Sequence, residues 1–371
     1  MKNIEKSIFI INLITFLTAV SYETVFTVLP FYLSTVIGVS MFVIGLVEGG
    51  YDLISNFVKI FSGYWADFLR KRNILLTGLL FSFFSKLYFI FGKKWVDVVI
   101  ATSLEAISEG IQTPVNDTYL SSGKKDKLGR IFGINRAFEN IGAVIGIFIA
   151  LLYTWLFIEG FSYQEYFVIS TLPVFLAILL VFFLPKEKKP VKKYPVPVVS
   201  WEAFFPKYIV LFFLLALIDF GYSFYVLKAY KQTSSEAFTV FIYLIFTVTI
   251  GFASLTAGKF FDKLGEKRYL SLVSVFFFVS HLLMIFFPVA GFLLFAFADA
   301  FLDIGIWATV GKKIRFRKGF VFGTYHFTVG FASLISGMVA GYLWDTVNPD
   351  FPFFVGSFIS LIIYFIIRKH F

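Results

Sequence analysis

The sequence predicts an all-α polytopic membrane protein, with about twelve transmembrane helices in two pseudo-symmetric six-helix bundles. Three observations carry that prediction. Hydrophobic residues fill 58% of the 371 positions and charged ones only 15%, for a mean hydropathy of +0.84, where a water-soluble domain is roughly half apolar. Apolar runs recur along the whole chain at the about 20 residues, of about 1.5 Å each, that a crossing requires. The 33 Lys and Arg residues gather in short clusters between those runs. The net charge of +10 therefore reads as topology, whereas a nucleic-acid binder would concentrate its bases on one solvated face. The absence of cysteine excludes disulfides and thiolate metal or redox sites.

Taken in order, Met1 to Lys6 carry Lys2 and Lys6 against Glu5 and precede an apolar run, as in a secretory signal. No small-residue cleavage site follows and the run continues past Pro30, so a retained first helix is expected. Spans are predicted at 7–34, 40–67, 73–91, 95–118, 131–157, 162–184, 203–228, 235–262, 269–288, 290–311, 320–344 and 351–368. Bases cluster at the N-terminus, Arg70 to Arg72, Lys124 to Arg130, Lys186 to Lys193, Lys263 to Arg268, Lys312 to Lys318 and Arg368-Lys369, while the alternate loops hold only Lys93-Lys94 and Lys228 to Lys231. The positive-inside rule then places both termini and the basic loops in the cytoplasm, in a multi-pass protein of the cell (inner) membrane. Pro185 to Ser200, rich in Lys and Pro, reads as a linker, so the chain divides into bundles 1–184 and 203–371 joined by 185–202.

The halves repeat at an offset of about 190 to 195 residues, the check for internal duplication. Asp67 answers to Asp262, Glu105 and Glu109 to Asp299 and Asp303, Phe132-Gly133 to Phe322-Gly323, and Arg136 to His326. Each half also ends a span in a Gly-x-x-x-Asp segment followed by bases, Gly63 to Arg72 and Gly258 to Arg268.

Ionisable residues inside spans are the candidate functional groups, because a mid-bilayer charge costs at least about 2.5 kcal/mol and must face a partner or a cavity. The second span carries Glu48, Asp52, Asn56 and Lys59 on one helical face, readable either as a relay or as an Asp52–Lys59 network that only holds helices together. Lys86 of the third span is placed to join that network or to snorkel. Glu105 with Glu109, and Asp299 with Asp303, stand one turn apart on the fourth and tenth spans. Two such carboxylates resist joint ionisation in a low dielectric, which is the property of a proton-coupling group. Glu23 lies in the first span and Asp219 in the seventh. Arg136 is expected to pair with Glu139 or an acid of the fourth span. His281, His326 and His370 are too scattered for a metal site. Gly142 and Gly146 form a small-x-x-x-small pair whose usual role is close helix packing.

The two Gly-x-x-x-Asp segments, the basic residues after them, the spans and the basic central loop resemble the major facilitator superfamily of secondary transporters. Ser21-Tyr22-Glu23, Leu29-Pro30, Gly45 to Gly49 with Asp52, Lys59 to Gly63, Gly110 to Thr113 with Asp117, Phe322 to Phe327 and Gly341 to Asp345 extend the resemblance to a bacterial branch similar to drug-efflux members. The resemblance implies that spans 1, 4, 7 and 10 line a central cavity, so Glu23, Glu105, Glu109, Asp219, Asp299 and Asp303 become substrate or proton-coupling candidates and Arg136 and His326 join the polar relay. It also implies a cytoplasmic latch of Asp67 and Asp262 at the starts of partner helices, supported by Arg70, Arg72, Asp117, Lys263 and Arg268, with Arg70 or Arg72 pairing with Asp117.

The expected function is a secondary transporter, read as a proton-coupled exporter of cationic or amphipathic compounds working as a monomer in the lipid bilayer, with a uniporter, importer or lipid flippase as the alternative. No cofactor or nucleic acid is called for, and neither HxxxxD nor HExxH occurs, so an enzyme is not expected.

Overall fold

Pro30 sets the end of the first helix. Its ring crowds the carbonyl four residues back and it offers no N–H, and α1 (Lys2–Phe26) stops at that residue. The span continues as the short α2 (Leu29–Phe31) and a π-helical turn, Tyr32–Ile37. There follow α3 (Met41–Phe68), α4 (Lys71–Phe91), α5 (Trp95–Leu120), α6 (Leu128–Leu156) and α7 (Tyr163–Val181). After these come α8 (Phe205–Leu217), α9 (Tyr222–Thr233), α10 (Glu236–Leu264), α11 (Glu266–Phe286), α12 (Pro288–Lys313), α13 (Lys318–Thr346) and α14 (Phe351–His370). The computed structural model describes residues 2–123, 128–156, 162–185, 205–313 and 318–370; the predicted linker lies almost wholly outside them.

Eleven helical segments among the described residues are long and apolar enough to cross a membrane. To these α5 adds a further 26 residues, less apolar because it carries Asp97, Glu105, Glu109 and Asp117. The chain is an all-α, multi-pass membrane protein, as the sequence predicts.

It packs as two compact units, one of Met1–Tyr32 with Ile54–Val196, the other of Leu33–Leu53 with Pro197–Phe371. In the first, α4 packs on α5 and α7, and α1 on α6 and α7. Its apolar centre joins Ile11 and Ile14 of α1, Leu75 and Leu79 of α4, Val115 of α5 and Ala177 of α7. Gly142 and Gly146 bring α6 against the Phe16 and Val20 carbonyls of α1, the close packing their spacing predicts. In the second unit α11 packs on α12 and α14, and α8 on α13. The α11–α12, α11–α14 and α8–α13 pairings stand at positions in the chain order equivalent to α4–α5, α4–α7 and α1–α6. The core there is aromatic: Tyr225 stacks on Phe295 at 3.9 Å, and its hydroxyl shares a hydrogen bond with His281 Nε2 at 2.8 Å.

Candidate functional site

The polar helix α5 supplies the first part of the site. Glu105 lies inside the first unit, where Lys86 Nζ of α4 stands 3.0 Å from its Oε2 and the Ser82 hydroxyl donates to both oxygens at 2.9 and 3.0 Å. The Lys86 ammonium also sits 5.8 Å from the centre of the Phe26 ring, and neither charged side chain reaches the surface to any extent, 0% and 8% exposed. One turn on, Glu109 Oε1 accepts a hydrogen bond from Lys59 Nζ of α3 at 2.8 Å. Two expectations are thereby corrected. Lys59 meets Glu109 rather than closing a network on Asp52, and Lys86 serves Glu105 rather than the stripe on the second span. Glu105 and Glu109 each hold a lysine on a different neighbouring helix, so their mutual repulsion is not what governs this pair.

The Lys59–Glu109 pair belongs to an open, charged face. Its side chains are 19% and 39% exposed, and the Arg136–Glu139 pair on α6, joined at 2.9 Å, is 63% and 40% exposed. Asp117 near the end of α5 is exposed as well. Charged groups on membrane-crossing helices do not face hydrocarbon, so this face of the first unit meets water. Arg136 takes Glu139, one of its expected partners. The expected pairing of Asp117 with Arg70 or Arg72 does not form among the described residues: Arg70 is the exposed residue before α4, while Arg72 donates to the Phe182 carbonyl at 3.3 Å and lies over its ring. Arg72 is committed to the end of α7, which draws it away from α5. Glu23 on α1 accepts from the Thr27 hydroxyl at 3.3 Å.

In the second unit the seventh span is broken. α8 ends at Leu217, whose carbonyl takes the Ser336 hydroxyl at 2.7 Å, and α9 begins at Tyr222. Between them Gly221 adopts φ +89°, a conformation that favours glycine, and its N–H donates to Asp219 Oδ1 at 3.2 Å. Glu48 of α3 meets the start of α9, its Oε1 accepting the Ser223 N–H at 3.1 Å and the Ser223 hydroxyl at 2.6 Å. The predicted stripe of the second span is therefore divided. Glu48 and Asp52 fall in the second unit, and Asn56 and Lys59 in the first. The first half of α3 is seated on α13: Asp345 accepts the Met41 and Phe42 N–H groups at 3.0 and 2.9 Å, and a Cβ on Gly45 would overlap the Gly337 carbonyl.

On α12, Asp299 is partly buried and Asp303 exposed, and the charge of Asp303 bears on the phenols of Tyr269 and Tyr325. His326 on α13 is partly buried, its ring 5.2 Å from that of Tyr325. At the gates, Asp262 and Lys263 are exposed in the last turn of α10, and Arg268 in the first turns of α11. Asp67 is the penultimate residue of α3, and its side chain lies outside the described residues. Sequence reasoning missed Ser82, Gly221, Ser223 and Asp345 as working residues. Only Asp345 carried a signal, as the acid that closes the Gly341 to Asp345 motif.

The profile of the Major Facilitator Superfamily matches residues 11–337. The chain belongs to that superfamily. It is 28% identical to an uncharacterized MFS-type transporter of Methanocaldococcus jannaschii, over 97% of this chain and 94% of the relative. It is 23% identical to multidrug resistance protein 2 of Bacillus subtilis, again over 97% and 94%. Among solved structures it resembles a nucleoside transporter, with a TM-score of 0.79 at 15% identity over 98% of each chain. It also resembles a D-xylose-proton symporter, with a TM-score of 0.74 at 12% identity over 99% of this chain and 98% of that one. This superfamily member is accordingly a transporter of small molecules in a lipid bilayer, not an enzyme.

Proposed function

We propose that this superfamily member is a proton-coupled exporter of small cationic or amphipathic molecules, working by alternating access of its two bundles. The observation that carries the reading is the charge balance of the water-facing helices. Lys59 and Arg136 are each matched by an acid, Glu109 and Glu139, and Asp117 remains as surplus negative charge on the same face. On α12 of the second unit, Asp299 and Asp303 are again acids. A wall of this kind holds a cation and repels an anion. The likeness to a Bacillus multidrug resistance protein points the same way in direction of transport. Glu23, Glu109, Asp117, Asp219, Asp299 and Asp303 are the groups assigned to substrate or proton on this reading, and Glu105 is assigned to holding α4 against α5. Asp67 with Arg70 and Arg72, and Asp262 with Lys263 and Arg268, are assigned to the cytoplasmic gate. The protein sits in the cell membrane as a monomer with both termini in the cytoplasm, following its basic loops.

Purified protein in liposomes, loaded with ethidium as the cationic probe and given a pH gradient, tests this. Dye movement should follow the gradient and stop when an electroneutral proton–potassium exchanger collapses it. Movement indifferent to that collapse would favour a uniporter, and none at all would return the importer and flippase readings to the front.

A further inference from the structure

We propose that Glu48, seated at the break in the seventh span, is a proton-binding residue whose proton is exchanged as the first half of α3 docks and undocks. The inference deepens the proton-coupled reading above by naming where the proton sits. Both hydrogen bonds from Ser223 go to the same oxygen of Glu48, Oε1. The other oxygen, Oε2, is buried and has no hydrogen-bond partner. It lies directly over Gly221, where a Cβ would overlap it, so the glycine that breaks the helix is also what lets the carboxyl approach.

A carboxylate ion with one oxygen sealed from water and undonated is poorly accommodated. The charged groups facing it deepen the mismatch. From α3 there is Asp52, one turn away on the same face, and from the α8–α9 break there is Asp219; both are acids, and α9 meets it with the neutral Ser223. The stretch of α13 that packs on this part of α3 presents backbone at Gly337 and Leu334. A proton on Oε2 removes the sealed charge.

The link to transport is the seat of the helix. Leu33–Leu53 belongs to the second unit while α3 continues into the first from Ile54, and its start is held by Asp345 at the Met41 and Phe42 N–H groups. With this segment docked, Oε2 is dry and Glu48 holds its proton. When the segment leaves α9, water reaches the carboxyl and the proton is lost. One equilibrium thereby joins the position of α3 to the proton.

Infrared titration of the full chain in lipid nanodiscs, without any substrate, reads the protonated carboxyl directly through its C=O stretch. A band that disappears at high pH is expected in the wild type, lost in Glu48→Gln and moved to a different titration pH in Asp219→Asn. If Glu48→Gln does not fold, the Asp219→Asn shift alone decides. A band unchanged in the variants that fold overturns the proposal. Because no transported compound enters this measurement, failure of dye export leaves its outcome intact, and its failure leaves the export reading to be judged on the dye.

Discussion

Glu105 and Glu109 stand one turn apart on α5 and each meets a lysine, at 3.0 and 2.8 Å, yet the two pairs live in different media. The first is sealed, with Lys86 at 0% and Glu105 at 8% exposure, and the one Ser82 hydroxyl proton is shared between the two Glu105 oxygens. The second is open, with Glu109 at 39% and Lys59 at 19%. Four residues along a helix turn the side chain by about 40°, and that small rotation moves the carboxyl from the α4 side of α5 to a wet face shared with α3. The pairs teach that an intramembrane ion pair is not by itself a transport group. A sealed pair fixes one arrangement of helices, and only an open pair can exchange partners with a substrate or with water.

Lys86 is where the largest effect is expected. Lys86→Met leaves Glu105 buried without a cation, which should cost about 3–5 kcal/mol and lower the thermal unfolding temperature in detergent by more than any substitution on the open face. Replacing both partners, Lys86→Met with Glu105→Leu, should restore most of that loss, since a buried pair exchanged for apolar groups is often neutral. A single variant that melts with the wild type would remove the structural role of the sealed pair. The open pair should behave in the opposite sense. Lys59→Met is expected to cost no more than about 1 kcal/mol in stability and to slow ethidium flux in liposomes several-fold. Normal flux in this variant would take the open pair out of the transport path.

The fold was legible because hydropathy and basic loops are local signals. Arg70 to Arg72 and Lys263 to Arg268 mark helix ends without reference to any distant residue, and Pro30 marks the end of α1 through its own ring. The site was legible as a set of residues and not as a set of partners. The spacing of Glu48, Asp52, Asn56 and Lys59 placed them on one face, yet which neighbouring helix each point of that face meets depends on helix crossings that no i, i+4 pattern encodes. Lys59 therefore met Glu109, fifty residues away, and Glu48 met Ser223, which is 175 residues away. Gly221 gave no warning of the break in the seventh span, since a single glycine in an apolar run has several ordinary uses. Asp345 stands 304 and 303 residues from the α3 N–H groups it accepts, a closure that only tertiary structure creates.

The smallest expected effect lies on the same wet face and separates charge from structure. Arg136 and Glu139 are an exposed i, i+3 pair, worth about 0.2–0.5 kcal/mol to a helix, so Arg136→Gln should leave the unfolding temperature almost unmoved. It does alter the wall: Glu139 loses its cation and adds to the negative charge beside Asp117. If the face recognises cations, the ethidium concentration that gives half-maximal flux should fall in Arg136→Gln, and the fall should shrink as salt is added, because the acids are exposed and screened. An increase in that concentration would mean that Arg136 itself holds part of the transported molecule, and the charge of the preferred substrate would have to be reversed.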